Sequence, residues 1–179
     1  MILSKIKQLI GWWFNRHQPL IHKTMCIKLG LHTVNGEKVY HLTDKVLEIG
    51  RVYDTKGIKR EVTEDSDKYH IELIAEKSRV ASNMTLRNGI EYPSRYTCLY
   101  VCDKEFVQVW YRHLVKWRKR QFRVYEISLT GVLFGTYADY LKAEMYWEAS
   151  PKPTLNEKEG LFEGTYKVIR ECNIGEFEQ

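Results

Sequence analysis

YTCLYVCDKEFVQVWYRHLVKWRKRQFRVYEISL, residues 96–129, carries three patterns in succession. Tyr96-Thr97-Cys98-Leu99-Tyr100-Val101 is rich in β-formers and follows the break at Pro93, which predicts a central strand. Asp103 stands where a helix N-cap belongs, and Phe106, Val109, Trp110, Leu114 and Trp117 fall on one stripe between Lys104 and Lys119. Arg118-Lys119-Arg120 then places cations at the negative pole of that helix. Arg123-Val124-Tyr125-Glu126-Ile127-Ser128-Leu129 alternates as a strand does. Strand, helix, strand is thus the unit from which the rest of the chain is read.

Upstream, Asn35-Gly36 is a turn signal between a mixed stretch at 24–34 and the run Lys38-Val39-Tyr40-His41-Leu42, which predicts a β-hairpin. Gly50 precedes a short extended run, Arg51-Val52-Tyr53, and residues 55–68 are polar and charged, as a surface loop is. Ile71, Ile74, Ala75, Ser78 and Ala81 or Ser82 recur at intervals of three and four, so a helix is predicted over 69–86, ended by Asn88-Gly89. Downstream come a helical piece at 138–147, a loop with Pro151 and Pro153, and a strand at Thr165–Arg170. This order predicts an α+β domain over residues 24–179 with a sheet of mixed or antiparallel strands. Residues 1–23 stand apart as an amphipathic helix, with Ile2, Ile6, Leu9, Ile10 and Trp13 on one side and Lys5, Lys7 and Arg16 as its cationic complement. Such a helix suits packing on the domain, or peripheral membrane or protein contact through Trp12, Trp13 and Phe14.

The 179 residues, 44% hydrophobic and 13% aromatic, are enough for one core and exclude a disordered or low-complexity chain. No run approaches the roughly 18 apolar residues of a transmembrane helix, and a small-residue cleavage site is lacking near the start, so a cytoplasmic protein is expected. Four cysteines (Cys26, Cys98, Cys102, Cys172) are too scattered for a disulfide framework, and reduced thiols are the simplest reading; Cys98 and Cys102 are spaced to share a helix face, without further residues at metal-ligand spacing. The net charge of +5 decides nothing by itself. Arg112, His113, Lys116, Arg118, Lys119, Arg120 and Arg123, interleaved with Trp110, Tyr111 and Trp117, read either as a solvated helix face or as a surface for phosphates and bases. The common phosphate-loop, dinucleotide, zinc-protease and serine-hydrolase signatures are absent. In Tyr40-His41-Leu42-Thr43, a histidine and a hydroxyl two residues apart share one strand face and offer two hydrogen-bonding groups to one ligand.

That segment, with Leu47-Glu48-Ile49-Gly50-Arg51-Val52, then Glu72 and Arg79, Tyr92-Pro93-Ser94-Arg95-Tyr96, Phe122-Arg123-Val124-Tyr125-Glu126-Ile127, Ala138-Asp139 and Ala143-Glu144-Met145-Tyr146-Trp147, resembles an uncharacterised bacterial and phage domain family grouped with the ADP-ribosyltransferases. The likeness spans about 38–171, and it is similar, more distantly, to the small rifampin ADP-ribosyltransferases, with Leu42 where those have a glycine. The resemblance implies an ADP-ribosyltransferase-like domain of split mixed or antiparallel sheets with flanking helices, and an NAD-binding cleft between the sheets. In it His41 and Thr43 hold the adenosine ribose, Ser94 and Arg95 bind pyrophosphate, Tyr100 packs near the nicotinamide, and Asp139 is the acidic residue; His41, Tyr100 and Asp139 form the catalytic set. Those residue types fit the chemistry, because loss of nicotinamide develops positive charge on the ribose that a carboxylate stabilises. Read from the residues alone, Tyr100 also suits a core aromatic and Asp139 a helix cap or exposed acid.

Two functions from different classes follow. One is an NAD-dependent mono-ADP-ribosyltransferase, a phage or bacterial conflict protein modifying an unidentified protein, nucleic acid or small molecule; NAD-dependent transfer of a phosphate from RNA is its enzymatic variant. The other is a non-catalytic binding module that engages nucleic acid, protein or membrane through its basic and aromatic surface.

Overall fold

The computed structural model describes residues 27–58, 91–137 and 158–178. Two strands of fifteen residues dominate it, β4 (Arg123–Tyr137) and β5 (Lys158–Cys172). They pair antiparallel along their whole length, from Val124 opposite Cys172 to Tyr137 opposite Lys158. β1 (Gly30–Thr43) lies on the other edge of β4. Two short strands share the far edge of β5: β2 (Val52–Asp54) opposite residues 165–167, and β3 (Leu99–Val101) opposite residues 160–162. Tyr40 of β1 and Cys102, just past β3, then exchange both backbone hydrogen bonds, at 3.0 and 2.9 Å. The sheet therefore curls until its two ends meet, running β1, β4, β5, β3 and back to β1 around an apolar interior.

Alternation puts Tyr125, Ile127, Leu129 and Leu133 of β4 on the inner face, where they pack with Val39, Leu99, Val101, Phe162 and Val168. Each such side chain, fully buried, contributes about 1.5–3 kcal/mol. On the outer face, α1 (Val107–Arg118) covers one end, seating Val107 and Trp110 against Val124, Cys102, Cys172 and Phe177. The Trp110 indole N–H donates to Lys158 O at 2.9 Å, and the Tyr40 and Phe177 rings meet edge to face at 5.1 Å. Cys98, Phe134 and Leu161 bury the other end.

This architecture corrects the expected α+β domain of split sheets with flanking helices. Every strand pair is antiparallel, and α1 is the one α-helix among the described residues. The helices expected at 1–23, 69–86 and 138–147 lie outside the described residues. The expected hairpin at Asn35-Gly36 is also overturned: the residues on both sides of it belong to one strand, β1, and pair with the same neighbour. Gly36 has φ 87°, and the register slips between Asn35 and Glu37, so the Asn-Gly pair makes a bulge that bends β1 instead of reversing it. β4 and β5 outrun the expected strands for a related reason: Gly131 and Gly164 face each other with φ 154° and 139°, and a Cβ on either would overlap the backbone carbonyl of Glu163 or Thr130. Glycines that read as breaks in the sequence are what lets these two strands pass each other.

Asp103 sits ahead of α1, but its carboxylate turns away from the helix. It accepts from Ile27 N at 2.6 Å and from Lys158 Nζ at 3.3 Å, while Lys158 Nζ also donates to Ile27 O at 3.1 Å. Burial pushes the Asp103 carboxyl above its ordinary 3.8, against the opposing pull of the Ile27 N–H and the Lys158 ammonium. A carboxyl raised in this way holds its proton more tightly folded than unfolded, so its contribution to stability is greatest at low pH and is lost as pH rises through the raised value. Compared with Asp103→Asn, the wild-type protein is therefore expected to gain in Tm as the pH falls from about 7 toward 4. Thermal unfolding across that range checks it, and a relative loss on acidification would mean that the Lys158 pair outweighs burial.

Candidate functional site at the seam between β1 and β3

Between β1 and the segment of β3 the backbone pairing is the single Tyr40–Cys102 bridge, so the neighbouring backbone groups need other partners. His41 supplies one: its Nδ1 lies 2.8 Å from Tyr100 O. A carbonyl only accepts, so Nδ1 carries the proton and the neutral ring is the Nδ1–H tautomer. His41 thus closes the seam with a side chain where the backbone ladder ends.

Val39, His41 and Thr43 point to the inner side of β1 by alternation. The His41 ring is 6.4 Å from Tyr166, which stacks on Tyr53 at 5.4 Å and an interplanar angle of 17°, and the Arg51 guanidinium lies 5.1 Å from the Tyr53 ring. Burial, and then the neighbouring Tyr53, push the Tyr166 phenol up, so it stays protonated at neutral pH. The segment after β1 is pinned over this cluster. Leu47 N donates to the Tyr125 hydroxyl at 3.1 Å, Glu48 N to the Tyr53 hydroxyl at 2.9 Å, and Gly50 N to Val168 O at 2.8 Å. The Thr43 hydroxyl accepts from Lys45 N at 3.2 Å.

On the outer side of β3 the Tyr100 ring packs beside Phe134 and Leu161, with the Arg95 guanidinium 5.3 Å from its centroid. Arg95 is only 3% exposed, and its Nη1 donates to Glu159 Oε1 at 3.1 Å. Ser94 organises the turn before β3: its carbonyl accepts from Thr97 N and Cys98 N, its hydroxyl accepts from Tyr96 N, and its N–H donates to Glu163 at 3.0 Å.

The structure therefore brings His41 to the backbone carbonyl of Tyr100, with Thr43 two residues along β1, and seats the Tyr100 ring with Arg95 on the other face of the sheet, Ser94 being held in the adjoining turn. Asp139 lies outside the described residues. Arg95 points its charge at Glu159, inside the protein, which is not the open fork that a pyrophosphate takes. Tyr53, Tyr166 and Glu159 belong to the same neighbourhood and were not legible beforehand. The one available signal was alternation along β5, which puts Tyr166 inside and Glu159 on the opposite face from Gly160. Cys98 and Cys102 flank β3 instead of sharing a helix face, and with Cys172 they are buried and form no disulfide.

Among the described residues no helix is long and apolar enough to cross a membrane. No curated protein matches the chain. One family model does, over residues 33–174, which takes in α1, β2 to β5 and all but the first three residues of β1; its description, a protein of unknown function, assigns no activity and does not bear on the likeness to ADP-ribosyltransferases. The chain belongs to the DUF2441 family.

Proposed function

We propose that the chain is an NAD-dependent ADP-ribosyltransferase whose donor nucleotide lies across the seam between β1 and β3. The supporting observation is that His41, fifty-nine positions from Tyr100, closes the seam through a hydrogen bond with the Tyr100 backbone carbonyl, while the Arg95 guanidinium lies over the Tyr100 ring on the outer side. The sheet is not the split-sheet arrangement, so the reading rests on the site and not on fold. His41 and Thr43 hold the adenosine ribose; the Thr43 hydroxyl accepts from Lys45 N and keeps its own proton to donate. Tyr100 supplies the aromatic surface beside the nicotinamide. Arg95, neutralised by Glu159, is a positioning residue that fixes the Tyr100 ring. Asp139 supplies the carboxylate that stabilises the ribosyl cation as the glycosidic bond to nicotinamide breaks.

The test is nicotinamide release from NAD by the full chain. Turnover is expected in the wild-type protein and a loss of at least about a hundredfold in Asp139→Ala, the scale on which single electrostatic stabilisers act. Release undiminished by that substitution overturns the role of Asp139, and no release together with no NAD binding leaves the non-catalytic binding module as the function.

A further inference from the structure

The end of the sheet at which β1 stops and β4 begins is unusual in what it shows to solvent. Leu47 turns inward against the core, held by the bond from its N–H to Tyr125, while Val46 and Ile49 on either side are 72% and 64% exposed. The ion pair between Arg120 and Asp44, at 2.5 Å, ties the C-terminal end of α1 to the same loop. That helix end presents Trp117, 43% exposed, and the exposed cations Lys116, Arg118 and Lys119, none of which pairs with a carboxylate of a described residue. The acids close by are already engaged, Asp44 by Arg120, Glu48 by Arg51 and Glu171 by Arg123.

We propose that this end of the sheet docks on an anionic bilayer surface, with Val46 and Ile49 entering the interface and the helix cations lying among the lipid headgroups. Val46, Ile49 and Trp117, exposed at one end of the sheet and rimmed by cations, make an apolar tip with a polar rim, the make-up of a membrane-facing surface. A tryptophan beside lysines and arginines is the composition of a membrane–water interface. A nucleic-acid strand would also meet the charge, but it stacks on aromatic faces and gives no reason for two aliphatic tips. The inference is independent of the nucleotide reading, and no NAD enters its test.

The full chain is sedimented with vesicles of phosphatidylcholine alone and with vesicles carrying about one third phosphatidylserine. Pelleting is expected on the anionic vesicles only, falling as salt is raised. Each lysine or arginine near such a surface contributes about fivefold in partition, so Lys116→Glu with Arg118→Glu and Lys119→Glu lowers it by on the order of a hundredfold. Val46→Asp with Ile49→Asp lowers it by at least about tenfold; both variants change exposed side chains, and their Tm is measured alongside to show that they fold. No pelleting on anionic vesicles overturns the proposal. So does pelleting undiminished in both variants, which places the contact elsewhere in the chain. Sensitivity to the charge reversals with none to Val46 and Ile49, accompanied by capture of a single-stranded oligonucleotide, overturns it in favour of a nucleic-acid surface.

Discussion

Gly131→Ala is expected to destabilise the protein by about 2–6 kcal/mol, enough to unfold much of a marginally stable domain at room temperature. Two costs add. A φ of 154° is backbone that side-chain-bearing residues rarely adopt, worth about 1–3 kcal/mol. A Cβ there overlaps the Glu163 carbonyl and crowds the Gly164 Cα at 2.9 Å, so one of the two longest strands must move, at a further 1–3 kcal/mol or so. Gly164 stands directly opposite and has no Cβ to withdraw, so the pair cannot relax by a rotamer change. Gly57 is the control, since a Cβ there meets nothing within 4 Å. Gly57→Ala is expected to stay within about 0.5 kcal/mol of wild type. Urea unfolding of the two variants measures the contrast, and equal stability would mean that β4 and β5 do not cross at these glycines.

Removing one partner of the Arg95–Glu159 pair is the second large effect. Both side chains are nearly out of solvent, 3% and 5% exposed, so Arg95→Met takes a guanidinium from a buried carboxylate and Glu159→Leu takes a carboxylate from a buried guanidinium. Leaving a buried charge unmatched costs about 3–5 kcal/mol, whereas replacing both by apolar residues of similar volume restores much of it. The double variant is therefore expected to be more stable than the Arg95→Met protein, giving a coupling of at least about 1 kcal/mol in a double-mutant cycle. Additive losses would show that the two charges act separately. The cycle also separates two roles of Arg95. If it merely positions Tyr100, the stable double variant binds NAD more weakly by a small factor, and if it grips pyrophosphate the double variant does not bind.

How much of this was legible in the sequence depended on which interactions are local. α1 was readable because its stripe of Val109, Trp110, Leu114 and Trp117 and its basic end are set by local spacing, although Phe106, read as part of the stripe, lies in a 3₁₀ turn at Lys104–Phe106 that precedes it. The cores of β3, β4 and β5 were readable from β-formers and alternation. Closure of the sheet was not, because it rests on a single bridge between Tyr40 and Cys102, sixty-two positions apart, that no local pattern announces. Asn35-Gly36 misled for a physical reason: the same left-handed glycine serves a two-residue turn or a bulge, and only the neighbouring strand decides between them. Of the site, His41 stood out with Thr43 as two hydrogen-bonding groups on one strand face, and its reach to Tyr100 depends on where β1 and β3 part. Glu159 could not be found, since an acid at a strand end reads as solvent-facing until Arg95 is brought over it from sixty-four positions away.

The central claim, that a nucleotide lies over the His41–Tyr100 seam, is tested most directly by calorimetric titration of NAD into the full chain, with Thr43→Val in parallel. The substitution removes one hydroxyl from a half-buried side chain and leaves the Nδ1 bond of His41 intact. Saturable binding at one site, weakened about threefold to tenfold in Thr43→Val as the loss of one hydrogen bond requires, is the predicted result. No heat at millimolar NAD, or binding that Thr43→Val leaves unchanged, would contradict it.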